Sequence, residues 1–267
     1  MKTWTSVLLM ACVAAVPVAA LDKEQTAQAR KVFEANKNAV VFLTGVTQME
    51  LAAAGQTVER EGNFQTIGTV IDPSGMVVAA LSTIGASGEQ TVGAQRVLIK
   101  VKRHDQVKIV LEDGTEVPAD VVLKDPDLDL AFIMPRKESD EYKAATWTVA
   151  AMDASAEVRI LDTVLIVARV GRSFNLESIA GLSEISGVVT KPRKFYLGPT
   201  RPGAPVFTLG GQAIGITVMY KAPGDDSSRA VVVLPAEDVL KIAEQAKSAK
   251  PAEEEEETSP APTDEEE

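Results

Sequence analysis

Gly68-Thr69-Val70-Ile71-Asp72-Pro73-Ser74-Gly75-Met76-Val77-Val78 places two runs rich in Val and Ile on either side of Asp-Pro-Ser-Gly. Proline presets φ for a tight turn, aspartate accepts from backbone two residues on, and glycine tolerates a left-handed φ, so the stretch predicts an antiparallel hairpin. Working outward, the same texture recurs at Ala39 to Val46, Thr66 to Ile71, Met76 to Leu81, Val107 to Leu111, Val117 to Leu123 and Leu130 to Met134. Glu112-Asp113-Gly114-Thr115 predicts a second hairpin between two of these runs. Short strands at close spacing indicate a β-sandwich or barrel.

A polar stretch from Arg136 to Tyr142 interrupts the pattern. It resumes at Val158 to Ile160, Thr163 to Val170, Ile185 to Thr190, Pro205 to Leu209, Gln212 to Met219 and Ala230 to Leu234, which predicts a second β unit. Asp22 to Lys37 has helix-forming residues with apolar side chains at roughly helical spacing, and Pro235-Ala236-Glu237-Asp238 opens a closing helix with proline and acids in its first turn. The domain reading is a leader over 1–20, a helix over 21–37, a first barrel over 38–140, a second barrel with its closing helix over 141–247, and a disordered acidic tail over 248–267.

Lys2, the apolar run from Val7 to Val16, and Val18-Ala19-Ala20 have the layout of a secretory signal peptide cleaved after Ala20. This predicts a periplasmic or secreted protein. Leu9-Met10-Ala11-Cys12 loosely resembles a lipobox, so lipidation at Cys12 is the competing reading; cleavage after Ala20 would remove the only cysteine. No later stretch is apolar enough to predict a spanning helix. The net charge of -11 is concentrated at the end of the chain: Glu253 to Glu257, Asp264 and Glu265 to Glu267 supply nine negative charges, leaving -2 for everything before them. A body so close to neutral offers no phosphate-neutralising surface, which excludes nucleic acid as a partner.

Five segments, in order, resemble the trypsin-like serine proteases of the HtrA/Deg kind. The opening hairpin matches the one that precedes the family's catalytic histidine, where the strand continues as T-N-x-H-V; here Ala79-Ala80-Leu81-Ser82-Thr83 follows, so Ser82 stands at the histidine's position. Val107 to Ala119 resembles the family's second hairpin. Lys124-Asp125-Pro126-Asp127-Leu128-Asp129-Leu130-Ala131 resembles its D-x-x-x-D-[IL]-A motif, which places Asp129 at the catalytic aspartate. Thr200-Arg201-Pro202-Gly203-Ala204-Pro205 stands where the family has G-N-S-G-G-P, with Pro202 at the serine. Val231-Val232-Val233-Leu234-Pro235 resembles the strand that edges the specificity pocket, with Val231 in place of its opening glycine.

The resemblance covers roughly residues 38 to 245 and implies an all-β fold of two six-stranded antiparallel barrels with short N- and C-terminal helices. It also implies a degenerate triad at Ser82, Asp129 and Pro202, and a remnant of the binding cleft at Val231, Gly203 and Ala204. Proline has neither the attacking hydroxyl nor the backbone N–H that such enzymes aim at the oxyanion. A serine hydroxyl is a poor proton acceptor compared with imidazole. The sole histidine, His104, lies in a polar string away from every triad position and reads as a surface residue.

No metal or other cofactor is expected, because one histidine and no paired carboxylates leave no first shell. The reading is an inactive protease homologue that binds or regulates a protein or peptide partner. The alternative is a hydrolase with a non-standard nucleophile or base, for which Lys124 or Lys191 beside Ser82 or Ser186 is the nearest constellation.

Overall fold

A computed structural model of the chain describes residues 23–92, 95–152, 156–221 and 229–249. The expected leader with Ala20 and Cys12, and the acidic run after residue 250, lie outside the described residues.

Along the chain the elements are α1 (Lys23–Asn36), β1 (Val40–Ala53), β2 (Gln56–Val70), β3 (Val77–Ala80), α2 (Leu81–Ile84), β4 (Gly88–Val92), β5 (Gln95–Val110), β6 (Glu116–Asp125), β7 (Leu130–Pro135) and α3 (Asp140–Ala144). They continue with β8 (Thr163–Arg169), β9 (Ser178–Glu184), β10 (Gly187–Val189), β11 (Phe195–Leu197), β12 (Pro205–Thr208), β13 (Ala213–Lys221), β14 (Arg229–Pro235) and α4 (Ala236–Ser248).

The hairpin that opened the sequence reading joins β2 to β3, with Val70 opposite Val77. Gly75 N–H donates to the Asp72 carbonyl at 3.0 Å and Ser74 N–H to the Asp72 carboxylate at 2.8 Å. The first sheet runs β1-β2-β3-β7-β6-β5-β4, and pairing of β1 with β5 closes six of its strands into a barrel. Inward-facing Leu43, Val70, Val77, Ile109, Val117 and Ile133 fill it. Full burial of such a side chain stabilises by about 1.5–3 kcal/mol.

The second sheet runs β10-β11-β14-β13-β12-β8-β9. Its two ends, β9 and β10, are successive pieces of one chain run separated by Ile185 and Ser186, so the sheet curls into a half-barrel. Two apolar clusters join the units. One contains Val32 of α1, Phe42 of β1, Leu165 of β8 and Phe207 of β12. The other contains Phe132 of β7, Ile216 of β13, Val232 of β14 and Val239 of α4. Buried Arg169 adds a polar tie, donating to the carbonyls of Val40, Leu176 and Lys37 at 2.9, 2.7 and 3.2 Å.

Several elements depart from the sequence expectation. β1, β2 and β5 run well past the barrel and, with β4, form a projecting four-stranded arm in which Leu51 pairs with both Val58 and Ile99. The charges at Glu59, Arg60, Glu61, Lys100 and Arg103 had the composition of loops. β9 and β11 replace expected loops, Val158 to Ile160 is not a strand, and the polar stretch after Arg136 contains the short helix α3. Among the described residues, no helix is long and apolar enough to cross a membrane.

Candidate functional site

Ser82, Asp129 and the loop of Pro202 converge on one edge of β13. Asp129 follows the turn between β6 and β7 and takes a left-handed φ of 57°, a conformation aspartate adopts more readily than most residues. Its backbone carbonyl accepts from Leu81 N–H at 2.9 Å. Its carboxylate accepts three further hydrogen bonds: Oδ1 from Ser82 N–H at 2.6 Å, and Oδ2 from the Ser82 hydroxyl at 2.9 Å and from Met219 N–H at 2.6 Å.

Asp129 therefore caps the first turn of α2 from outside the helix and grips the second sheet through β13. It is buried, at 5% exposure, while Ser82 is exposed. Burial pushes the Asp129 carboxyl above its ordinary value, and the hydrogen bonds from Met219 and Ser82, with the Arg229 charge, pull the other way.

Two residues back along β13, Thr217 holds the loop that contains Pro202. Gly203 N–H donates to the Thr217 carbonyl at 2.8 Å, and Thr217 N–H donates to the Ala204 carbonyl at 3.0 Å. Ala204 N–H closes onto the Arg201 carbonyl at 3.1 Å, and Gly203 has φ of 84°. Proline followed by a glycine of positive φ inside such a closure is the pattern of a type II turn. A side chain at residue 203 would strike the Ile67 carbonyl, with Cβ only 2.5 Å from its oxygen. The Gly203 carbonyl accepts from the Thr69 hydroxyl at 3.1 Å.

At the turn itself residue 202 has no N–H, and those of 203 and 204 are bonded within the protein. Gly203 and Ala204, expected to edge a binding cleft, are buried. Val231 pairs directly with Met219 and is half-buried. Neither the cleft beside α1 nor the smaller one at the start of α4 is lined by Ser82, Asp129, Pro202 or Val231.

Sequence reading missed Thr69, Thr217 and Met219. Two of the three act at this site through backbone atoms, which leave no trace in residue type. Lys124 and Lys191 are exposed, and among the described residues neither hydrogen-bonds to Ser82 or Ser186. No group of three or more His, Cys, Asp or Glu side chains converges among the described residues.

His104 corrects the expectation of a surface residue. Its ring stands edge-on to Phe64 at 6.1 Å, with Nε2 buried and unpartnered. Burial, reinforced by the Lys124 charge, lowers its pKa to about 4, against the carbonyls of Ile84 and Gly85 and the Asp105 charge.

The fold is shared with solved proteases. An HtrA-type protease, AlgW, determined with a tripeptide, superposes with a TM-score of 0.52 at 16% identity, covering 81% of this chain and 62% of its own. This chain therefore spans less than two thirds of that protein. No curated protein matches at the level of sequence. The family model described as a trypsin-like peptidase domain matches residues 66–216, which include the end of β2, β3, α2 with Ser82, and the turns that hold Asp129 and Pro202. Taken with the barrel and half-barrel, this match places the chain in the trypsin-like peptidase domain family.

Proposed function

We propose that this member of the family is catalytically inactive and serves as an exported protein that binds or regulates a peptide or protein partner. The observation that carries the proposal is the engagement of Asp129, whose two carboxylate oxygens accept from Ser82 and Met219 where a triad would have an imidazole to orient. The turn at Pro202 supports the same reading, because residue 202 has neither a hydroxyl nor an N–H, and the N–H groups of Gly203 and Ala204 are bonded within the protein.

One contact favours hydrolysis instead. The exposed Ser82 hydroxyl lies 2.9 Å from a carboxylate, as a nucleophile would from a base. Burial, which raises the Asp129 carboxyl, adds to that reading; against it stand the two backbone N–H bonds that favour the charged carboxylate, and a residue 202 with no N–H to offer an oxyanion. Incubation with unfolded casein separates the two readings. The proposal expects no cleavage above buffer; cleavage that disappears in both Ser82→Ala and Asp129→Ala would establish the hydrolase.

A further inference from the structure

The free edge of the second sheet presents a surface of a different kind. β9 pairs with β8 along all seven residues, and no strand among the described residues pairs with its other side. Such an edge presents a row of unpaired N–H and C=O groups, which proteins ordinarily blunt with charge, proline or a bulge. The open part of β2 in the arm is guarded in this way by exposed Glu59, Arg60 and Glu61. β9 has such a charge only at its last residue, exposed Glu184: from Ser178 to Ser183 it reads Ser-Ile-Ala-Gly-Leu-Ser, with neither charge nor proline, and Leu182 is 48% exposed.

A cleft of about 400 Å³ opens beside this edge, between α1 and the sheet. Its walls include Ala29 and Phe33 of α1, Leu165 of β8, and Ala180 and Leu182 of β9. Leu165 and Leu182 stand opposite each other in register, so their side chains share a face. Arg30 is the only charged side chain lining the cleft, is exposed, and makes no ion pair among the described residues.

We propose that β9 accepts an extended apolar peptide segment of another protein as an added strand, with alternate side chains seated in the cleft beneath α1 and a carboxylate of that segment paired with Arg30. The backbone row calls for an extended chain, and the side-chain alternation of a strand delivers every second residue to the apolar walls. An exposed guanidinium at the rim, with no ion pair among the described residues, calls for a planar anion. This chain's own Glu253 to Glu257 run is a poor occupant, because it would press consecutive charges against aliphatic walls. The inference is independent of whether Ser82, Asp129 and Pro202 turn over any substrate.

Fluorescence anisotropy on the full-length protein tests it with labelled, C-terminally amidated Ser-Val-Leu-Val-Asp, its Asn counterpart, and a version N-methylated at alternate residues. The Asp peptide should bind saturably, the Asn peptide about tenfold more weakly, and the methylated peptide not at all. Arg30→Gln should erase the difference between Asp and Asn. Leu182→Lys, at a half-exposed position that leaves the core intact, should abolish binding with an unchanged melting curve. If Leu182→Lys does not fold, Arg30→Gln and the methylated peptide still decide the question.

The proposal is overturned by absence of saturable binding at millimolar peptide, by equal affinity for the Asp and Asn peptides, or by binding indifferent to both substitutions. It is also overturned by a dimer seen in ultracentrifugation that Leu182→Lys dissolves and the peptide does not displace, which would assign the edge to a second copy.

Discussion

The two halves of the candidate site sit two residues apart along β13, yet they differ in kind. Around Asp129 the chemistry is polar: a buried carboxylate beside β7 of the first sheet holds Ser82 of α2 and Met219 of the second sheet. Around Pro202 the chain is folded in on itself, its N–H groups directed to Thr217 and Arg201. On the proposed reading, the difference teaches that a carboxylate is kept where it also joins two sheets, whereas a loop whose task is packing closes into an ordinary turn. On this account Asp129 is now a clasp, and its value is measured in stability.

The largest break in that comparison is Asp129→Ala. It orphans Ser82 N–H and Met219 N–H at once and should cost about 3–4 kcal/mol in denaturant unfolding. A loss below 1 kcal/mol would show that the carboxylate is no clasp. The corresponding change on the other side is Gly203→Ala, which forces a side chain into positive φ against the Ile67 carbonyl. We expect about 2–3 kcal/mol, read as a fall in melting temperature, from strain alone.

Acid should separate the halves further. The pKa of His104 is about 4 when folded, against an ordinary 6.5, so the unfolded chain binds the proton more readily. His104 therefore contributes its full stability above pH 6.5, and this is lost as pH falls from 6.5 to 4. We expect about 1–2 kcal/mol over that window, absent in His104→Gln. The loss should surface first behind α2, where the Thr47 hydroxyl bonds the Ile84 carbonyl, so amide exchange should rise over residues 81–85 while the Gly203 and Ala204 amides stay protected. The smallest effect belongs to Ser82→Ala, which deletes one partly exposed hydroxyl bond and keeps Ser82's backbone contact. A change of about 1 kcal/mol is expected.

Much of this was legible in the chain. Asp-Pro-Ser-Gly and Glu-Asp-Gly-Thr announced their hairpins because those residue types carry turn geometry themselves, and both turns join antiparallel neighbours. Ser82, Asp129 and Pro202 stood out because a hydroxyl, a carboxylate and a ring nitrogen without hydrogen differ chemically at a glance. The arm escaped because its strands alternate Met49 and Leu51 with Gln48 and Glu50, and charges on one face resemble a loop when read one residue at a time. The buried setting of His104 escaped as well, since Phe64 lies forty residues away and meets it only through pairing of β1 with both β2 and β5. The commitments of Gly203, Ala204 and Met219 are made by backbone groups that every sequence shares.

Whether any hydroxyl in this protein is primed to attack decides between a clasp and a catalyst. Treatment of the intact protein with a fluorophosphonate, followed by mass spectrometry of its peptides, addresses that directly. We predict no adduct on any serine above the level seen with denatured protein. A stoichiometric adduct on Ser82 that vanishes in Asp129→Asn would contradict the account and make the clasp a catalyst.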